Sequence, residues 1–304
     1  MVNARILHSV LSLLVITQLS VLEAIQLPVI IWHGMGDHGR GAGIQELAKV
    51  IKGIIPGIKV KCITTGQSDI QDIEDSYLKP SAQQIDEVCA QLMSDPDFAD
   101  GTHMIGLSQG GLFVRALAQK CPFKTLGSII SIGGPQMGVF GVPKCRDVGL
   151  LPYCSLMEKL LSYGAYTEFV QNHLVQAQYW HDPLNEEKFR EKCRFLTDIN
   201  QETRINQTYK NNILKAKAIV LVKFMDDTVL KPSQSEVSEW FGFYVPMTTE
   251  TFQTLQETKL YKEDRLGLKQ LDETKRLHFL QVDGDHLHFT LEWFENEIVR
   301  RFLT

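Results

Sequence analysis

The sequence predicts a doubly wound α/β fold, and three observations carry that prediction. Short continuous apolar runs recur along the chain, helix-periodic segments separate them, and one run leads directly into a Gly-x-Ser-x-Gly turn that opens a helix. Strands buried on both faces of a parallel sheet read as continuous apolar runs rather than alternating ones. Strands that alternate with helices imply a mainly parallel sheet whose ligand sites lie beyond the carboxyl ends of the strands.

The elements follow in chain order. Residues 1–24 start with one base, Arg5, and continue through an apolar stretch too brief to span a bilayer, with small residues near Ala24. This is the pattern of a secretory signal peptide, set apart from a single domain over 25–304. No later apolar run approaches the ~18–20 residues of a membrane-spanning helix, so no transmembrane anchor is expected. Strands are expected at 27–32, 59–64, 103–107, 128–132, 218–224 and 277–282. Helices at 43–54, 82–93 and 112–121 fall between the first four. The rhythm breaks once, over about 135–217, where helical patterns carry aromatics such as Tyr163, Phe169, Tyr179 and Trp180. That stretch is expected to be a largely helical insertion packed over the active end of the sheet.

Composition narrows the function classes. At 44% hydrophobic and 22% charged, the 304 residues hold ample apolar material for one sizeable core. The net charge is −5, and it stays there when Arg5 and Glu23 leave with 1–24. No lysine or arginine cluster exists, which argues against nucleic acid and anionic membranes as partners. The mixed-sign stretch 259–276 is expected to be solvated surface. Six cysteines, even in number and without the close pairs of a zinc site, point to disulfides and an oxidising compartment. Asn206-Gln207-Thr208 is a glycosylation sequon in a polar stretch suited to a surface loop.

The chemistry centres on Ser108. The run into Gly106-Leu107-Ser108-Gln109-Gly110-Gly111 gives strand, tight turn and helix, the context in which a serine is held in strained geometry with its hydroxyl above the sheet edge. A serine hydroxyl needs a base, and the base an orienting acid, in the chain order serine, acid, histidine. The strand at 218–224 runs into Asp226-Asp227, between which the residues alone express no preference. The last strand runs into Asp283-Gly284-Asp285-His286, where the Gly284 turn favours His286 as base over His288 and His278. His33 and His103 sit at strand edges and read as structural. The backbone N–H of Gln109 is the first oxyanion donor, and the Gly-rich segment 33–37 supplies the second, that of Met35.

Several segments together resemble the palmitoyl-protein thioesterase family, its lysosomal type 1 branch most closely. They include Trp32-His33-Gly34-Met35-Gly36-Asp37, Gly106-Leu107-Ser108-Gln109-Gly110-Gly111, Gly138-Val139-Phe140-Gly141, Tyr179-Trp180-His181-Asp182-Pro183, Asp198-Ile199-Asn200-Gln201-Glu202, Glu239-Trp240-Phe241-Gly242, Asp264-Arg265-Leu266-Gly267 and Gly284-Asp285-His286. The resemblance runs co-linearly from residue 27 to the end. It implies an α/β-hydrolase fold and removal of long fatty acyl groups from cysteines of S-acylated proteins and peptides, or from other long-chain acyl thioesters. It implies Ser108 as nucleophile, His286 as base and Asp227, rather than Asp226, as acid, with Met35 and Gln109 as oxyanion amides. It pairs Cys89 with Cys121 and Cys145 with Cys154, leaves Cys62 and Cys193 unassigned, and places the protein in the lysosome by the secretory route, with secretion as the alternative destination. No metal or organic cofactor is needed. Two departures stand out: His38-Gly39-Arg40-Gly41 replaces adjacent cysteines common in type 1 relatives, and Asp226 stands where relatives commonly carry a glycosylated asparagine. A lipase or carboxylesterase acting on oxygen esters would use the same three side chains. A catalytically silent lipid carrier on the same scaffold is the alternative from another class.

Overall fold

The computed structural model describes residues 26–141, 151–233 and 242–304. The expected signal segment 1–24 lies outside them. Among the described residues, eight strands and eleven α-helices of four or more residues run in the order β1 (Val29–Trp32), α1 (Ala42–Ile54), β2 (Val60–Cys62), α2 (Asp69–Leu78), α3 (Ser81–Ser94), β3 (Gly101–Leu107), α4 (Gln109–Lys120) and β4 (Thr125–Ile132). Then come α5 (Leu151–Gly164), α6 (Glu168–His173), α7 (Glu186–Lys192), α8 (Leu196–Ile199), α9 (Gln207–Ile213), β5 (Ala216–Phe224), β6 (Phe243–Tyr244), β7 (Phe252–Gln253), α10 (Lys259–Lys262), α11 (Leu268–Glu273) and β8 (Leu277–Val282). Consecutive helical turns over 291–302 close the chain.

Six strands form one sheet in the order β2-β1-β3-β4-β5-β8, every pair parallel. All six lie where the apolar runs place them. Successive side chains point to opposite faces, and both faces are covered. Val29, Ile31, Ile105, Ile130, Val220 and Val222 pack with α1 and the C-terminal helical turns, through Ile44, Leu47, Phe294 and Ile298. Ile30, Trp32, Met104, Ile129, Ile219 and Leu221 pack with α3, α4 and α9, through Val88, Leu92, Leu117 and Ile213. Each such side chain contributes about 1.5–3 kcal/mol by leaving water. This two-sided burial is why the strands read as unbroken apolar runs.

Three differences from the sequence reading have physical causes. Helix α4 begins three residues earlier than its periodicity suggests, because Gly110 and Gly111 enter the first turn, where a Cβ on Gly110 would stand 2.3 Å from the Trp32 carbonyl oxygen. Helix α2 is not among the expected helices: its apolar Ile70, Ile73, Tyr77 and Leu78 recur at helical spacing, but Ile70 is exposed and the buried side chains include Asp72 and Ser76. The alternation of strand and helix also breaks a second time, between β5 and β8. There the charged stretch 259–276 is more than solvated surface: Leu260, Leu266, Leu268 and Leu271 are buried while its lysines face outward. Over 151–213 the chain carries the helices α5 to α9, and Val139 and Trp180 form an isolated bridge.

Candidate active site

Ser108 sits at the junction of β3 and α4 with φ 52° and ψ −125°, a conformation side chains rarely adopt. The glycines around it are steric requirements. A Cβ on Gly106 would lie 2.2 Å from the Gly110 carbonyl oxygen, and one on Gly34 would lie 3.0 Å from the Ser108 Cβ. The turn is fixed on both sides: the Ser108 N–H donates to the Ile132 carbonyl at 2.8 Å, and its carbonyl accepts from the Gly111 N–H at 2.8 Å.

Residues distant in sequence meet above this turn. Ser108 Oγ lies 2.9 Å from His286 Nε2, and His286 Nδ1 lies 2.5 Å from Asp227 Oδ2. The Asp227 side chain is 0% exposed and that of His286 7%, so the pair works largely out of bulk water. Asp227 Oδ1 accepts from the backbone N–H groups of Val229 and Leu230, at 2.7 and 2.8 Å, which fixes the carboxylate orientation. Asp226 is exposed, and its N–H donates to the Gly284 carbonyl at 3.1 Å. Asp283 and His288 are exposed too, and His278 lies within β8. A hydroxyl, an imidazole and a buried carboxylate linked in this order can move a proton off the hydroxyl and stabilise the imidazolium that results.

The loop after β1 forms the opposite rim. Met35 and Gln109 both line the cavity, with Gly34, Gly36 and Asp37. Gln109 opens α4, where the first backbone N–H groups have no intrahelical acceptor. Helix α2 holds this rim from beneath. Ser76 Oγ accepts from the Gly36 N–H at 2.9 Å, and Asp72 accepts from the N–H groups of Gly39 at 2.9 Å and Thr65 at 2.7 Å. His33 Nε2 stands 3.5 Å from Asp72 Oδ2, both side chains buried. Burial alone would favour the protonated acid, but the His33 ring and the amides of Gly39 and Thr65 outweigh it and hold the Asp72 carboxyl well below the usual range. The Gln109 side chain is also locked: Nε2 donates to the Ser76 carbonyl at 2.9 Å, and Oε1 accepts from Gln176 Nε2 at 3.0 Å and the Tyr179 hydroxyl at 2.8 Å.

Between the rims lies a cavity of about 320 Å³, walled by Leu107, Val139, Met157, Leu161, Tyr179, Val229 and Leu230 as well as by Ser108 and His286. Met157 and Leu161 come from α5, so the segment after β4 supplies one wall. His103 lies away from this cavity: its Nδ1 accepts from the Ser128 N–H at 3.0 Å. Cys89 and Cys121 form a disulfide between α3 and the end of α4, with Cα atoms 5.6 Å apart. Cys145 lies outside the described residues, and with it the second expected pair; Cys154 is buried. Cys62 and Cys193 are free thiols. Asn206 caps α9, its Oδ1 accepting from the N–H groups of Thr208 and Tyr209. Among the described residues no His, Cys, Asp and Glu cluster could hold a metal, and no helix is long and apolar enough to cross a membrane.

Asp72, Ser76 and Gln176 are the parts that sequence reasoning missed. They belong to segments without a motif, and only the fold brings them under the site.

A strained serine at a strand–helix turn, with acid and histidine following on later strands of a parallel sheet, defines an α/β-hydrolase. The chain belongs to the palmitoyl protein thioesterase family, whose profile matches residues 28–286. It is 41% identical over 278 residues to palmitoyl-protein thioesterase 1 of Caenorhabditis elegans, covering 91% of this chain and 92% of that one. Palmitoyl-protein thioesterase 3 of Dictyostelium discoideum is 34% identical, covering 95% and 94%. The lysosomal thioesterase PPT2 of Bos taurus is 32% identical over 251 residues, covering 80% and 75%.

Proposed function

We propose that this enzyme hydrolyses long-chain acyl thioesters, removing palmitoyl groups from cysteines of S-acylated proteins, with Ser108 as nucleophile, His286 as base and Asp227 as the orienting acid. The observation that carries the reading is the hydrogen-bonded series Ser108–His286–Asp227 opening into an apolar cavity. His286 takes the Ser108 proton as Oγ attacks the thioester carbonyl. The Met35 and Gln109 amides stabilise the resulting oxyanion. Collapse of the tetrahedral intermediate expels the cysteine sulfur, which recovers the proton from His286, and leaves acyl-Ser108. A water deprotonated by His286 then attacks the ester carbonyl, releasing the fatty acid and restoring the serine. A thiolate, with thiol pKa near 8.5, is a good leaving group, so the first step asks little of the general acid.

Binding rests on the acyl chain. About fourteen buried CH₂ groups at ~0.8 kcal/mol each offer roughly 11 kcal/mol, enough to dominate recognition over the peptide. The segment 135–217 acts as the cap of this single hydrolase domain and walls the acyl site with Val139, Met157 and Leu161. The Cys89–Cys121 disulfide and the lysosomal relatives support residence in the lysosome, reached by the secretory route. A glycan on Asn206 would attach at Nδ2 of a partly exposed side chain whose Oδ1 caps α9.

The test compares hydrolysis of a palmitoyl thioester with that of the matching oxygen ester, together with fluorophosphonate labelling of the chain and of Ser108→Ala. The expected result is thioester preference, labelling of the wild type and neither activity nor labelling in the variant. A strong oxyester preference would make the protein a lipase or carboxylesterase. An unlabelled wild-type chain would make it a carrier.

A further inference from the structure

The acid and the histidine sit on loops that leave different strands, 59 positions apart in sequence. Those loops are joined one residue away from each functional group. Asp285 Oδ1 accepts from the backbone N–H of His286 at 2.7 Å and from that of Thr228 at 2.8 Å. The Thr228 hydroxyl lies 3.1 Å from Asp285 Oδ1 and 2.9 Å from Oδ2. One carboxylate therefore bridges the residue after Asp227 and the residue that supplies the imidazole. Beneath it, the Asp226 N–H donates to the Gly284 carbonyl at 3.1 Å and the Met225 N–H to the Val282 carbonyl at 3.0 Å, carrying β5–β8 pairing up to the clip. Gly284 makes the approach possible with φ +126°.

We propose that Asp285 is a positioning residue: its carboxylate clips the Asp227 loop to the His286 loop, so that the distances from Asp227 through His286 to Ser108 are held together. The inference rests on the proposed roles of those three residues. Bonds from backbone N–H groups to an ionised carboxylate are stronger than neutral ones, and here both N–H donors lie in the loops being aligned. The Thr228 and His286 amides in turn keep the Asp285 carboxyl below its ordinary range, so the clip stays ionised in a mildly acidic lumen. Asp285 thus aligns the acid and the base through their backbones.

The full chain is compared with Asp285→Ala, Asp285→Asn and Thr228→Val by three readouts: the rate of Ser108 labelling by a fluorophosphonate, kcat and KM on a palmitoyl thioester, and thermal unfolding. Asp285→Ala is expected to slow labelling and lower kcat by about 10- to 100-fold, as loss of near-ångström alignment does, with KM changed by less than about twofold. Asp285→Asn keeps an acceptor at Oδ1 and recovers most of the rate. Thr228→Val keeps its N–H, loses less, and adds nothing to Asp285→Ala, because the two changes remove one shared contact. Labelling of Asp285→Ala at the wild-type rate overturns the proposal, as do equal losses in the Ala and Asn variants or a loss matched by the unfolded fraction. A wild-type chain that takes no probe removes the underlying reading instead, a result distinct from all of these.

Discussion

The two rims of the cavity are built in opposite ways. On the histidine rim, Asp227 and His286 stand just beyond β5 and β8, which are neighbours in the sheet; Asp227 accepts from the Val229 and Leu230 amides, and the His286 N–H donates to the Asp285 carboxylate at a partly exposed edge. On the opposite rim, which we propose carries the oxyanion donors, the glycine-rich loop after β1 is tied down by a buried carboxylate. Asp72 is fully buried beside His33 and gathers amides from two loops, 36–39 and 64–66. The loop is also pressed close, since a Cβ on Gly39 would lie 2.2 Å from the Ile63 carbonyl oxygen. Strand register and a carboxylate at the exposed edge position one rim, and a fully buried carboxylate positions the other.

That contrast predicts which changes cost rate and which cost stability. The largest effect belongs to the histidine rim: Asp227→Asn is expected to lower kcat by roughly 10⁴-fold, as loss of the orienting carboxylate does, while leaving the melting temperature nearly unchanged. Asp226→Asn, one position away and exposed, should stay within about twofold. Equal losses in the two variants would dissolve the assignment. The next effect belongs to the oxyanion rim. Asp72→Ala leaves His33 Nε2 and the amides of Gly39 and Thr65 unpaired in the interior, at a cost of about 3–5 kcal/mol in denaturant unfolding, with activity falling alongside. An Asp72→Ala protein as stable as the wild type would show that the two rims are not so different after all. The sign of the pH dependence follows from the depressed Asp72 carboxyl: its stabilisation is complete above the unfolded value near 3.9 and disappears only as the pH falls through the lower folded value, so mildly acidic conditions leave it intact.

The same contrast explains what could be read from the sequence. The histidine rim was legible because each functional group follows an apolar run, and Gly284 marks the turn before His286. Gly106 and Gly110 likewise marked the Ser108 turn. Within 226–227 the residues alone were silent; the two aspartates differ only in which way successive positions face once β5 ends, and the family resemblance was needed to choose. The oxyanion rim was legible only as glycines. Asp72 and Ser76 are buried polar residues of α2 that its apolar positions, Ile70, Ile73, Tyr77 and Leu78, do not announce, and Gln176 belongs to a short 3₁₀ turn of the segment after β4. A polar side chain buried by partners from three separate segments leaves no local pattern. The hairpin of β6 and β7 escaped for another reason, since strands of two residues are too short for a period to show.

A smaller effect asks whether acid sensitivity belongs to either rim or to the sheet between them. His103, in β3, packs its ring so closely over Gly127 that a Cβ there would lie 2.6 Å away, and burial pushes its pKa down to about 4. A base depressed in the folded state binds its proton more readily when unfolded, so stability falls as the pH drops from about 6.5 toward 4. At pH 5 the loss is about 2 kcal/mol. His103→Asn keeps an oxygen to accept from the Ser128 N–H and cannot take up a proton. Denaturant unfolding at pH 7 and pH 5 should therefore show a smaller difference for the variant than for the wild type. If both lose the same amount, the acid sensitivity resides in another group than His103, and in neither rim carboxylate, since Asp285 and Asp72 are both held below the ordinary value and keep their charge at pH 5.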